Sequence, residues 1–282
     1  MRLATLGLLA VLSIVSTQTG LCDERWQNLP PTPTPIAAAQ SGYVSVNGIR
    51  LYYAAVGEGS PVVLLHSGLA NSDWWGNQVK VLAMHQRVIL LDSRGHGRSG
   101  RNTKGFSYDL MADDVLVLLD KLKVSKADMV GWSDGAIIGL DLAIRHPNRV
   151  GKIFAFGANT STSGLIAGAE NTPTFSAYFA RVAQEYTRLS PTPGELNAFI
   201  AQISKMWESE PNWTDAQLRS IKSLVWVVDG DHEEAIKRSH SEYIAATIPG
   251  AGLLILPGVG HFAPLQDADM FNAAVLQFLD HE

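Results

Sequence analysis

Three stretches of this 282-residue chain carry residue types that together can break an acyl bond. Gly131-Trp132-Ser133-Asp134-Gly135 sets a serine between a short apolar run, Ala127 to Val130, and a nearly all-apolar helical pattern, Ala136 to Ile144. Further on come an acidic cluster, Asp229-Gly230-Asp231-His232-Glu233-Glu234, and then Gly258-Val259-Gly260-His261-Phe262. Acyl transfer by a serine needs a base for the hydroxyl proton, an acid to orient that base, and donors for the oxyanion. The chain offers them in the order serine, acid, histidine. The G-x-S-x-G pattern puts Ser133 at a strand-to-helix turn, the position of a nucleophile elbow. Gly131 and Gly135 lack the Cβ atoms that would crowd such a turn, and the helix that follows leaves unpaired N–H groups where an oxyanion would form.

Such a turn requires a buried strand before it and a packed helix after it, and the wider pattern provides both. Tyr43 to Val46 and Ile49 to Ala55, joined across Asn47-Gly48, read as an antiparallel hairpin. Val62 to Leu65, Val88 to Leu91, Ile153 to Phe156, Leu224 to Val228 and Leu253 to Leu256 are continuous apolar runs, as expected of parallel strands covered on both faces. Helical patterns alternate with them: Val115, Leu118, Leu119 and Leu122 fall on one face, and so do Phe271, Ala274, Val275 and Phe278. The fold class is therefore α/β, a mostly parallel doubly wound sheet. From about residue 161 to 221 the rhythm breaks into helical patches rich in proline and aromatics, which read as a helical cap inserted between strands, over the site.

With these landmarks the chain resembles the α/β-hydrolase family from about Tyr43 to Phe278. The further motifs that carry the resemblance are His66-Ser67-Gly68 after one strand, where the family usually has His-Gly, and Asp92-Ser93-Arg94-Gly95-His96-Gly97-Arg98-Ser99 after the next. The resemblance implies that Ser133 is the nucleophile and His261 the general base. It places the acid three residues after Gly230, at Glu233, one methylene longer than the family's usual Asp; Asp231 and Asp229 are rivals, and Glu234 reads as a solvated charge at a helix start. It also implies an oxyanion hole from the main-chain N–H groups of Asp134 and Gly68, with Leu69 an alternative donor because Ser67 replaces a glycine. The Asp134 carboxylate either favours a cationic substrate group, as in the esterases of amino-acid esters that the Gly-Trp-Ser-Asp-Gly string resembles, or points away to a loop N–H. Among the eight histidines, His66 and His96 read as structural, and His146, His240 and His281 as solvated.

A serine at the elbow argues against the branches of the family that use a carboxylate nucleophile. The expected activity is hydrolysis of carboxylic esters of small or medium size through an acyl-enzyme. An aminopeptidase or amidase, a C–C hydrolase, and a non-catalytic ligand-binding protein of the same fold are the alternatives. No cofactor and no metal is expected, since Asp231, His232 and Glu233 adjoin on one turn and cannot easily all face one ion. A net charge of −5 gives no nucleic-acid footprint. The single cysteine, Cys22, excludes an intrachain disulfide framework. Arg2, the uncharged run Leu3 to Val15 and the end at Gly20-Leu21-Cys22 have the organisation of a signal peptide over residues 1–22. That implies a secreted or periplasmic enzyme with no stable membrane insertion after processing. Residues 23–40, including the proline-rich stretch Leu29 to Pro35, read as a linker, so the hydrolase domain is expected over 41–282.

Overall fold

The computed structural model describes residues 24–35 and 37–281; the expected signal segment lies outside them. Eight strands form one sheet: β1 (Gln40–Val46), β2 (Ile49–Val56), β3 (Ser60–Leu65), β4 (Gln86–Leu91), β5 (Ala127–Trp132), β6 (Val150–Phe156), β7 (Leu224–Gly230) and β8 (Gly252–Leu256). Their order is β1-β2-β4-β3-β5-β6-β7-β8. The β1–β2 and β2–β4 pairs are antiparallel and all later pairs are parallel. The hairpin closes Val46 against Ile49, with Asn47 at φ 35° and Gly48 at φ 81°. Two successive positive φ values match the twist of the flanking strands, which is why Asn-Gly marks this turn.

The helices are α1 (Gly76–Leu82), α2 (Tyr108–Lys121), α3 (Asp134–Arg145), α4 (Pro173–Leu189), α5 (Leu196–Trp207), α6 (Asp215–Arg219), α7 (Arg238–Thr247), α8 (Ala263–Gln266) and α9 (Ala268–Asp280). Successive residues of β6 show how the sheet is covered. Ile153 faces α3, where a Cβ built on Gly139 would lie 3.5 Å from its Cγ2. Phe154, pointing to the other face, packs edge-on against Phe271 and Phe278 of α9 at 5.4 and 5.7 Å. Between β6 and β7 the chain leaves the sheet for α4, α5 and α6, the segment expected to form a cap. Thr172 caps α4 by accepting the Phe175 N–H, and Pro173 occupies the first turn, where no donor is needed. No helix among the described residues is long and apolar enough to cross a membrane.

The linker expectation needs correction. Residues 24–35 are packed against the domain, which therefore starts well before Ser41. Arg181 of α4 donates to the carbonyls of Leu29 and Pro30, Thr32 donates to Glu185 at 2.6 Å, and Gln266 of α8 donates to the carbonyls of Trp26 and Asn28. Proline cannot donate to a ladder, but its carbonyl and those beside it still accept. A proline-rich strap can thus be fastened by side chains of the body without joining the sheet.

The turn after β5 is closely packed. A Cβ on Gly135 would lie 2.0 Å from the Leu65 carbonyl oxygen, whereas one on Gly139, a turn later in the same helix, would make ordinary contacts. Gly135→Ala is expected to cost about 3 kcal/mol through forced movement of β3 or α3. Gly139→Ala should instead gain about 0.5–1 kcal/mol through reduced backbone entropy of the unfolded chain. Urea unfolding midpoints of the two variants check this, and equal effects would refute it.

Candidate active site

Ser133 sits between β5 and α3 at φ 55° and ψ −119°, a left-handed conformation that costs a non-glycine residue about 1–3 kcal/mol. Three main-chain hydrogen bonds hold it there. Its N–H reaches Phe156 O at 2.8 Å, and its carbonyl accepts from Ala136 and Ile137 at 2.8 and 3.1 Å. A Cβ on Gly131 would come within 2.4 Å of Ala136 Cα, so glycine there lets the helix fold back onto the strand.

His261, in the loop between β8 and α8, is 2% exposed. Its Nδ1 lies 2.7 Å from Glu233 Oε1. The same oxygen accepts the N–H groups of Ala235 and Ile236 at 2.8 and 3.2 Å, which fixes the carboxylate in place. Burial pulls the imidazole down, but Glu233 first, then Glu234 and Asp229, outweigh it and leave His261 above the ordinary histidine value.

The rival acids are placed differently. Asp231 is exposed and accepts the Gly258 N–H at 2.7 Å, shaping the turn. Asp229 is buried and bonded to Ser241 Oγ; burial and then the neighbouring Glu233 push its carboxyl well above the ordinary carboxylate range. Of these carboxylates only Glu233 bonds to the imidazole.

Two expectations are overturned. Glu234 is not a solvated charge: no helix starts until Arg238, and the side chain turns inward, with Oε2 accepting the His261 main-chain N–H at 3.0 Å and Oε1 bonded to Thr174 of α4. His240 is not solvated either. It is buried at the start of α7, and its Nε2 accepts the Thr160 N–H at 3.0 Å because the loop leaving β6 crosses that helix end. His66 and His96 are buried, as structural residues would be. His66 Nε2 accepts the Ser93 N–H at 2.9 Å, and burial pulls His96 down to about 3. His146 is partly exposed and His281 exposed.

After β3, Ser67 to Ala70 form a turn closed by Ala70 N–H to Ser67 O at 3.1 Å, with Leu69 at φ 64°. Among the described residues the main-chain N–H groups of Gly68, Leu69 and Asp134 have no hydrogen-bond partner. The Asp134 carboxylate does not point away to a loop N–H. It accepts Tyr108 Oη at 2.7 Å and the Trp207 indole N–H at 3.0 Å, and a Cβ on Gly68 would lie 2.6 Å from its Oδ2. Burial raises it to about 6, against the pull of those two donors. Tyr108, Trp207 and Tyr178, which donates to Gly68 O, escape sequence reading. Only aromatic enrichment of the cap hinted at the last two.

Ser133, His261, Gly68, Leu69 and Asp134 line one cavity of about 250 Å³ beneath the cap. Its other walls are mainly apolar, with Leu165, Ile166, Phe175, Tyr178, Phe179 and Trp207 from the cap. Its charged lining residues apart from His261 are Asp134, Glu170 and Glu210, and no lysine or arginine lines it. Every reactive group thus stands beyond the carboxyl end of a parallel strand: Gly68 after β3, Ser133 after β5, Glu233 after β7 and His261 after β8. A hydroxyl, an imidazole backed by a carboxylate, and free N–H groups around one cavity are the parts that acyl transfer requires.

The family model for the alpha/beta hydrolase fold matches residues 60–190. The serine hydrolase BPHL of Mus musculus is 26% identical over 266 residues, covering 88% of this chain and 91% of that protein. The 2-hydroxymuconate semialdehyde hydrolase of Pseudomonas sp. (strain CF600) is 30% identical over 278 residues, covering 90% of this chain and 95% of the relative. Among solved structures, Est816, described as an N-acyl homoserine lactone degrading enzyme, superposes with a TM-score of 0.68 at 30% identity, over 84% of this chain and 100% of that one.

Proposed function

The chain belongs to the α/β-hydrolase family, and from that premise we propose that it is a serine hydrolase cleaving small or medium carboxylic esters through an acyl-enzyme. The observation that carries the reading is the 2.7 Å contact between His261 Nδ1 and Glu233 beside a cavity shared with the strained Ser133. Ser133 Oγ attacks the ester carbonyl while His261 Nε2 takes its proton. Glu233 holds the tautomer and stabilises the imidazolium that forms. The N–H of Asp134, with that of Gly68 or Leu69, receives the oxyanion. His261 then protonates the departing alcohol, and water, deprotonated by the same imidazole, releases the acid.

The cavity wall supports an ester over a C–C bond. A 2-hydroxymuconate semialdehyde carries a carboxylate, and a cavity with three acidic side chains and no lysine or arginine gives such a group no basic side chain to pair with apart from His261. A substrate with a cationic group is the second reading, favoured by the same three carboxylates. We also propose export, motivated by Arg2, the uncharged run to Val15 and Cys22. Mass spectrometry of the protein from its host should find residues 1–22 removed, and an intact Met1 would refute it.

A fluorophosphonate probe should label wild type on Ser133 and should fail on Ser133→Ala and His261→Ala, with all three proteins folded by circular dichroism. Glu233→Gln should lower the ester-hydrolysis rate by roughly a thousandfold to ten-thousandfold, Glu233→Asp by less, and Asp231→Asn should retain much of the activity. A folded wild type that the probe ignores would point to a ligand-binding protein instead.

On a series of chromogenic esters matched in length, neutral acyl chains and those ending in an ammonium should outperform chains ending in a carboxylate by roughly tenfold or more in kcat/KM. A preference for the carboxylate would remove the case against the C–C reading.

A further inference from the structure

Two consecutive glutamates face the same histidine from different sides. Glu233 takes the imidazole, while Glu234 takes the main-chain N–H of His261 on one oxygen and the Thr174 hydroxyl on the other. Thr174 is the second residue of α4, and the next residue, Phe175, stacks on the His261 ring at 5.6 Å and 28°. A Cβ on Gly260 would lie 2.6 Å from Glu234 Oε2, so only glycine lets this carboxylate approach the loop so closely. The N–H just before it, that of Gly260, goes instead to a neutral acceptor, Gln266 Oε1, at 2.7 Å.

We propose that Glu234 is a positioning residue for the general base: it fixes the backbone of His261 and ties it to cap helix α4. A carboxylate held there also favours the protonated imidazole. The inference rests on His261 being that base. Two bonds from one side chain make the catalytic loop and the cap a single unit, so seating of the cap sets where the imidazole stands. A neutral amide could keep its oxygen on the His261 N–H and turn its NH2 to the Thr174 hydroxyl, which can also accept, so glutamine removes the charge while both ties persist. The charged or titratable groups around His261 are Glu233, Glu234 and Asp229 from β7 and its loop, with Arg238 beside Asp229, and Asp134 from α3. From α4 it meets Thr174 and Phe175, and from α8 Gln266 pins its loop; none of these is charged.

The sign follows from the charge. A carboxylate near an imidazole favours the imidazolium, so removing Glu234's charge lowers the pH at which His261 loses its proton. The test is an NMR titration of the His261 Cε1–H signal, assigned by its absence in His261→Asn, alongside the rate at which a fluorophosphonate labels Ser133. Glu234→Gln, which removes the charge, should bring the midpoint down by about half a pH unit or more. Gln266→Ala, which cuts the neutral pin of the same loop, should leave the midpoint in place. Thr174→Val keeps the charge and cuts the tie to α4, so labelling should slow with no shift in midpoint.

An unmoved midpoint in Glu234→Gln, or an equal shift in Gln266→Ala, overturns the proposal. Should Glu234→Gln fail to fold, Thr174→Val decides, and labelling at the wild-type rate overturns it. Wild type that titrates normally but resists the probe would end the serine-hydrolase reading, while the midpoints would still report whether Glu234 acts on His261.

Discussion

A serine does not choose φ 55° and ψ −119° by itself, and most of the surrounding design keeps Ser133 there. The strain of about 1–3 kcal/mol is offset only if neighbours over-determine the turn. They do so from both sides. The Phe156 carbonyl, at the end of the adjacent strand, takes the Ser133 N–H, and the first turn of α3 donates twice to its carbonyl. Trp132, fully buried, packs against Trp74, Trp75 and Phe262, so the strand cannot relax by sliding. The same turn puts Ser133 and Asp134, whose N–H has no partner among the described residues, on one cavity, so one strained residue positions both the proposed nucleophile and the proposed oxyanion donor.

Around that fixed point the protein gathers several carboxylates and meets them with hydrogen-bond donors. Glu233, Glu234 and Asp229 all act on His261, while burial and the neighbouring Glu233 push Asp229 itself upward. Burial raises Asp134 to about 6, against the pull of the Tyr108 and Trp207 donors. Both Asp134 and Glu234 also reach the cap, through Trp207 of α5 and Thr174 of α4. A third carboxylate, Glu185 of α4, accepts from Asn71, the Trp74 indole and Thr32 of the N-terminal strap. These three carboxylates therefore tie the cap to the body by charge-assisted hydrogen bonds, and two of them lie at the candidate site.

Much of this was legible before any coordinates. Parallel strands betray themselves as continuous apolar runs because both faces are covered, and the Asn47-Gly48 hairpin and the elbow glycines are local requirements written in residue type. What stayed hidden depends on contacts across the fold. Glu233 and Glu234 have the same chemistry and adjacent positions; only the location of α4 over the loop turns the second one inward. His240 reads as a surface residue until the chain leaving β6 is laid across the start of α7. The proline-rich strap looks like a tether because proline spoils regular structure, but its carbonyls find Arg181 and Gln266, residues more than a hundred positions away.

The extra methylene of Glu233 is the remaining departure from the family's usual acid, and the loop accommodates it by uneven use of the two oxygens. Oε1 accepts three donors, the His261 imidazole and the Ala235 and Ile236 N–H groups, while Oε2 is buried with no partner among the described residues. A carboxylate so loaded concentrates its interactions on the atom facing the histidine. The longer arm is what lets one oxygen reach the imidazole and the two following N–H groups at once, because the side chain must fold back toward its own backbone to meet them. A shorter acid on the same backbone would have to give up part of that bracing to touch the imidazole. The longer side chain thus brings its own support, taken from the turn that Asp231 shapes on its other side.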